Sequence, residues 1–141
     1  MSERRISQQL RDLVSKRASY CCEYCGSQSK YFGPFSIEHI IPLSRGGTSD
    51  FSNLALACQH CNNYKYTKTQ DIDPVTQVLV PLYNPRQGIW AEHFVWNESY
   101  SKVLGITATG RATVLSLRLN RVELINLRKA LFQINEHPPK L

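Results

Sequence analysis

Nowhere does the chain carry an apolar run long enough to cross a bilayer, which takes about 20 residues in a helix. The opening residues Met1-Ser2-Glu3-Arg4-Arg5-Ile6 lack the apolar core of a secretory signal. Internal repeats and low-complexity segments are missing too, so neither organises the sequence. Charged residues make up 20% of the chain against 42% hydrophobic ones, a balance that argues against disorder and for a packed core. A length of 141 residues suits one domain, or one small domain with an appendage. These absences lead us to expect a cytoplasmic protein with no membrane partner. In that compartment cysteines serve as metal ligands more often than as disulfides.

What is present in modest excess is positive charge, a net +6 with a pI near 9.2. Such a balance suits a phosphate-bearing partner. Of the five cysteines, four form two Cys-x-x-Cys pairs, Cys22 with Cys25 and Cys58 with Cys61. This spacing lets two thiolates approach one ion, and Gly26 lets the backbone turn behind the first pair. Together the pairs predict one tetrahedral structural zinc. A zinc tetrathiolate carries a charge of −2, which lowers the effective net charge to about +4. Cys21 lacks the spacing and is the spare, and His60 is a poorer ligand than the cysteines that flank it.

Hydrophobic patterning gives the coarse architecture. Ile6, Leu10, Leu13 and Val14 follow helical spacing and predict an amphipathic helix over 4–20, with Arg4, Arg5, Arg11, Lys16 and Arg17 mostly off its apolar stripe. Residues 27–33 read as a polar loop. Phe35 to Ile41 reads as a strand ending near His39, broken by Pro42, and the Gly46-Gly47 segment reads as a loop. Leu54 to Ala57 is a second short strand, and a helix follows from Cys61 to about Thr67. Asp73-Pro74 marks a boundary. Beyond it, 78–82 reads as extended, and 93–96 with 102–107 as a hairpin. Residues 109–119 fit either a strand or a helix. Asn120 with Glu123 resembles a helix cap, ahead of a stripe of Leu124, Leu127, Leu131 and Ile134. The aromatics of 90–96 read as core, and His93 either as a core histidine or as a residue near the metal site. We expect residues 1–70 to form one unit and 71–141 an α+β extension packed on it.

The stretch from Ser36 to Lys65 carries the chemistry-bearing side chains. Hydrolysis of a phosphodiester needs a water deprotonated, a pentacovalent phosphate stabilised and a leaving oxygen screened. A divalent cation serves the last two needs and a histidine near neutral pKa the first. Glu38 and Asn62 offer the oxygens that a hard cation prefers, and His39 offers the base. Neighbours on a regular strand point to opposite faces. Glu38 and His39 therefore share a site only where the chain bends after them.

The pattern Cys22-x-x-Cys25-Gly26 … Glu38-His39-Ile40-x-Pro42-x-Ser44-x-Gly46-Gly47 … Asn53-Leu54 … Cys58-x-x-Cys61-Asn62-x-x-Lys65 resembles the HNH nuclease family over roughly residues 17–68. The resemblance implies an α+β fold with a zinc-stabilised ββα-metal (His-Me finger) core, flanked by the N-terminal helix and a C-terminal hairpin-plus-helix extension. It implies a metal-dependent endonuclease acting on DNA as a monomer or homodimer, with His39 as general base. Asn53 would fix the loop and orient the histidine. Glu38 and Asn62 would hold the catalytic cation, and Lys65 would contact phosphate. Arg45, in the glycine loop, is a further candidate phosphate contact. Asn62 stands where histidine is commoner and Glu38 where aspartate is commoner. An asparagine oxygen is a hard ligand, which favours magnesium or manganese. Other roles stay open at this level: a salt bridge or indirect role for Glu38, helix capping for Asn62 and plain solvation for Lys65. A non-catalytic zinc module that binds nucleic acid is the alternative for the whole, and a zinc-stapled protein-interaction domain a third reading.

Overall fold

The computed structural model describes residues 6–140. Arg4 and Arg5 of the expected basic helix lie outside the described residues. The helix itself is shorter than 4–20. Helix α1 spans Gln8–Arg17, and Ser7 caps it by accepting from the Leu10 N–H at 3.1 Å. Ser19 and Tyr20 take positive φ and end it. Val14 is fully buried, and Ile6 and Leu10 pack beside it against Leu54 and Leu56, whereas Leu13 stays 49% exposed. Arg17 is no solvated charge. It donates to the Phe51 and Leu54 carbonyls at 2.8 and 2.6 Å and lies over the Phe51 ring, fastening α1 to the next strand pair.

A four-residue helix, α2 (Ser29–Phe32), occupies part of the expected 27–33 loop. Strand β1 (Phe35–His39) pairs antiparallel with β2 (Leu54–Cys58), in a register from Phe35 opposite Cys58 to His39 opposite Leu54. The chain bends at Ile40 and Ile41 directly after β1. Every residue of β2 is buried. Helix α3 (Gln59–Lys65) follows β2 with no linker, because Cys58 is at once the last strand residue and the N-cap whose sulfur accepts from the Cys61 N–H.

The second half adds two more hairpins, β3 (Gln70–Ile72) with β4 (Leu79–Pro81) and β5 (Phe94–Trp96) with β6 (Val103–Gly105), the latter as expected. The turn of helix α4 (Trp90–His93) leads into β5. The ambiguous 109–119 segment is helical, forming α5 (Ala108–Ser116). Thr107 caps it, and Gly110 explains its placement: a Cβ there would stand 2.1 Å from the His93 carbonyl, so helix and hairpin meet backbone to backbone. Helix α6 (Val122–Gln133) corrects the expected cap. Its N-cap is Arg121, with no side-chain capping bond. Asn120 instead accepts from the Val103 N–H and donates to the Val103 carbonyl, both at 2.8 Å, because a strand edge offered it a complete pair of partners. Leu124 and Leu131 are buried as the stripe requires, but Ile134 is exposed and Arg128 takes a buried place between them.

These hairpins and helices make a mixed α/β fold of small antiparallel sheets. A single apolar cluster joins Cys22, Tyr24, Ala55 and Cys58 to Leu82, Phe94, Leu117 and Leu124. Among the described residues no helix is long and apolar enough to cross a membrane.

Candidate active site

The turn after α1 and the β2–α3 junction bring two pairs of thiols together. The Sγ atoms of Cys22, Cys25, Cys58 and Cys61 all lie within 4.8 Å of one another, and all four residues are buried. Cys25 and Cys58 sulfurs stand 3.8 Å apart. That is about the edge of a tetrahedron whose Zn–S bonds are 2.3 Å. The donor set therefore fits one four-coordinate zinc. The Cys25 and Cys61 N–H groups point at the Cys22 and Cys58 sulfurs at 3.5 and 3.4 Å, so each pair also closes its own turn. Cys21 stands apart as expected, its thiol directed at the Ser19 carbonyl, and His60 lies beside the Phe32 ring.

Glu38, His39 and Asn62 line one open cleft of about 720 Å³, together with Pro42, Ser44, Tyr66 and Thr67. The bend at Ile40 and Ile41 lets consecutive strand residues share it. Glu38 is 3% exposed. Its Oε2 accepts from the Tyr24 hydroxyl at 2.6 Å, and its Oε1 lies 2.6 Å from the Lys65 ammonium. Lys65 also donates to the Ile40 carbonyl at 2.8 Å, so its ammonium bridges that carbonyl and Glu38 Oε1. Burial pushes the Glu38 carboxyl above its ordinary pKa, and Lys65 and Tyr24 work against that rise. Burial and the Glu38 charge together drive the Tyr24 hydroxyl well up. His39 Nε2 is 2.9 Å from the Ser49 hydroxyl.

The loop between His39 and Asn53 is closed by Asn53. Its Oδ1 accepts from the Ile41 N–H at 2.9 Å, and its Nδ2 donates to the Ile41 and Thr48 carbonyls at 2.9 and 2.7 Å. Gly47 makes this closure sterically feasible, since a Cβ there would stand 1.7 Å from the Ile41 oxygen. Residues 22–68, which contain the four clustered cysteines, this loop and the cleft, match the family model described as HNH endonuclease. This segment is an HNH domain. Domains of the family generally hydrolyse nucleic acids. No curated protein and no solved structure matches the chain.

The two candidate phosphate contacts sit differently from one another. Arg45 is exposed and anchored through Nε to the Thr67 carbonyl at 2.8 Å, at the rim of the cleft. Lys65 is 2% exposed and faces inward to Glu38. The Asn62 amide has no hydrogen-bond partner among the described residues.

Sequence patterning gave no sign of three residues that shape the HNH domain. Tyr24 sits between Cys22 and Cys25 and reaches the carboxylate of Glu38. Arg121, at the start of α6, directs Nη2 at Cys58 Sγ (3.2 Å) and Nη1 at Cys61 Sγ (3.7 Å). Burial would lower its pKa, and the charges of Cys61, Cys25 and Cys58 overcome that and raise it. Tyr66 ends α3 with φ 51° and ψ −122°, a conformation that glycine adopts freely and tyrosine does not. No local signal marks the role of Arg121 at the cysteines, because those sulfur partners lie 60 or more residues away.

Proposed function

We propose that the protein is a metal-dependent endonuclease that hydrolyses phosphodiester bonds of DNA. The observation that carries this reading is the shared cleft, in which an imidazole, a carboxylate and an uncommitted amide line one space beside a clamped loop. His39 serves as general base and takes the proton from the attacking water, and the Ser49 hydroxyl at its Nε2 fixes the ring. Asn53 acts through position alone, holding the loop that carries Ser49 against the end of β1. Glu38 and Asn62 are the ligands for the catalytic cation. The donor set fits it: Glu38 supplies a carboxylate and Asn62 an uncommitted amide, and both line the cleft. Two side-chain oxygens and an open aqueous cleft suit magnesium or manganese, which retain several waters. When bound, the cation supplies Lewis-acid stabilisation of the charge that develops on phosphate and leaving oxygen. The Lys65 ammonium beside Glu38 orients its carboxylate, and Arg45 at the rim meets the DNA backbone.

Incubation of the purified zinc-loaded protein with supercoiled plasmid and magnesium or manganese tests the reading. Nicked or linear product is expected, and His39→Ala lowers its rate about 10²–10⁴-fold. Absence of cleavage with every divalent ion, or parental activity in His39→Ala, defeats it. A non-catalytic zinc module is not favoured, because the family match spans the histidine and both oxygen donors along with the cysteines.

A further inference from the structure

Tyr66 is an exposed aromatic in a backbone conformation that its own side chain disfavours. The Lys68 N–H donates to the Lys65 carbonyl at 2.9 Å, closing a turn over residues 65–68. With φ 51° and ψ −122° Tyr66 holds the first central position of a type II′ turn, where glycine is the ordinary occupant. Packing does not repay the strain: the residue is 76% exposed. Among the described residues no ring stacks on it, no cation lies over it and no group bonds its hydroxyl. Yet it lines the cleft with His39, Glu38 and Asn62. Beside it Arg45, tied to the Thr67 carbonyl, holds a guanidinium whose outer nitrogens have no partner among the described residues.

We propose that Tyr66 is a stacking platform for a nucleobase beside the scissile phosphate, so that the protein prefers DNA with an unpaired nucleotide at the cleavage point. An aromatic face next to a cation is the pairing that grips a single strand, ring on base and guanidinium on backbone. A base within an intact duplex has both faces covered and must be unstacked before it reaches the ring. The proposal rests on the nuclease reading for the place of the scissile bond, but not for the stacking itself.

The test therefore uses binding as well as cleavage, in the zinc-loaded full chain with and without His39→Ala. Fluorescence anisotropy with a dye-labelled single-stranded oligonucleotide and its duplex measures affinity, and 2-aminopurine in the strand reports stacking by quenching. In the His39→Ala background the single strand is expected to bind more tightly than the duplex and to be quenched. Tyr66→Phe retains both properties. Tyr66→Leu and Tyr66→Gly weaken single-strand binding about 5- to 150-fold and abolish quenching. Tyr66→Gly also unfolds at a higher temperature than the parent, since it relieves the strained φ. Equal affinity of Tyr66→Gly and parent for the single strand overturns the proposal, as does a loss in Tyr66→Phe as large as in Tyr66→Gly. Failure of the nuclease reading shows separately, as an absence of plasmid cleavage while tyrosine-dependent quenching persists.

Discussion

Replacing Lys65 by methionine isolates the buried charge pair beneath the cleft. Lys65 and Glu38 have side chains 2% and 3% exposed, with Nζ and Oε1 2.6 Å apart. At that separation and an effective dielectric of 20, their attraction is about 6 kcal/mol. Desolvation of the two ions costs several kcal/mol each, so the intact pair contributes little net stability. Loss of one partner is another matter. Methionine fills the space but leaves a buried Glu38 charge with only the Tyr24 hydroxyl bonded to it, at a cost of about 3–5 kcal/mol. Burial already raises the Glu38 pKa and Lys65 is the first influence that opposes it, so the variant's carboxyl titrates higher still. A carboxyl whose folded pKa exceeds its unfolded value holds its proton more tightly when folded. Its contribution is fully present below the unfolded value and disappears as pH rises through the folded one. Lys65→Met is therefore expected to lose less stability at pH 5.5 than at pH 8. Guanidinium denaturation with saturating zinc, referenced to the parent at each pH, measures this and removes the proton linkage of the thiolates. Glu38→Gln in the same background should recover most of the loss. Additivity of the two substitutions within about 0.5 kcal/mol, or a loss independent of pH, refutes the reasoning.

Further outcomes follow from neighbouring contacts. Arg121→Ala removes the cation facing Cys58 and Cys61 and should weaken zinc binding about 10–100-fold, read by competition with a chromophoric chelator. Cys25→Ser or Cys58→Ser should leave the chain unfolded by circular dichroism, because structural zinc supplies folding energy outright; a folded, zinc-bound Cys58→Ser would contradict the four-thiol site. Asn53→Ala forfeits three loop hydrogen bonds and should cost about 2–3 kcal/mol in chemical denaturation. Gly47→Ala should cost more and abolish plasmid nicking, since its Cβ cannot coexist with the Ile41 oxygen.

What the sequence made legible is what short-range spacing encodes. The clustered cysteines are two local pairs, and the 93–107 hairpin shows its turn between two β-rich runs. What escaped depends on partners far along the chain. Lys65 looks like a surface lysine until the fold brings Glu38, 27 residues earlier, beneath it. Arg128 breaks the apolar stripe of α6, yet it is buried because the Ser101 and Leu119 carbonyls receive its guanidinium. Asn120 had the right spacing for a cap and was drawn instead to Val103. In each case a tertiary partner outbid a local preference, and neither periodicity nor composition records such partners.

Connectivity then ties the four-cysteine cluster to the cleft without any shared atom. Tyr24 lies between Cys22 and Cys25, so the turn that the zinc would close also sets the hydroxyl that holds Glu38. Cys58 ends β2 and caps α3, and Cys61 precedes Asn62, so the second pair fixes both the strand opposite His39 and the helix carrying Asn62 and Lys65. Arg121 and Arg128 extend the same control from the other half of the chain, one bonded to the Cys58 and Cys61 sulfurs and the other reaching the Cys25 carbonyl at 3.4 Å. Displacement of the zinc would therefore release Glu38, Asn62 and the start of α6 together. The C-terminal half would be felt at the cleft through the thiolates.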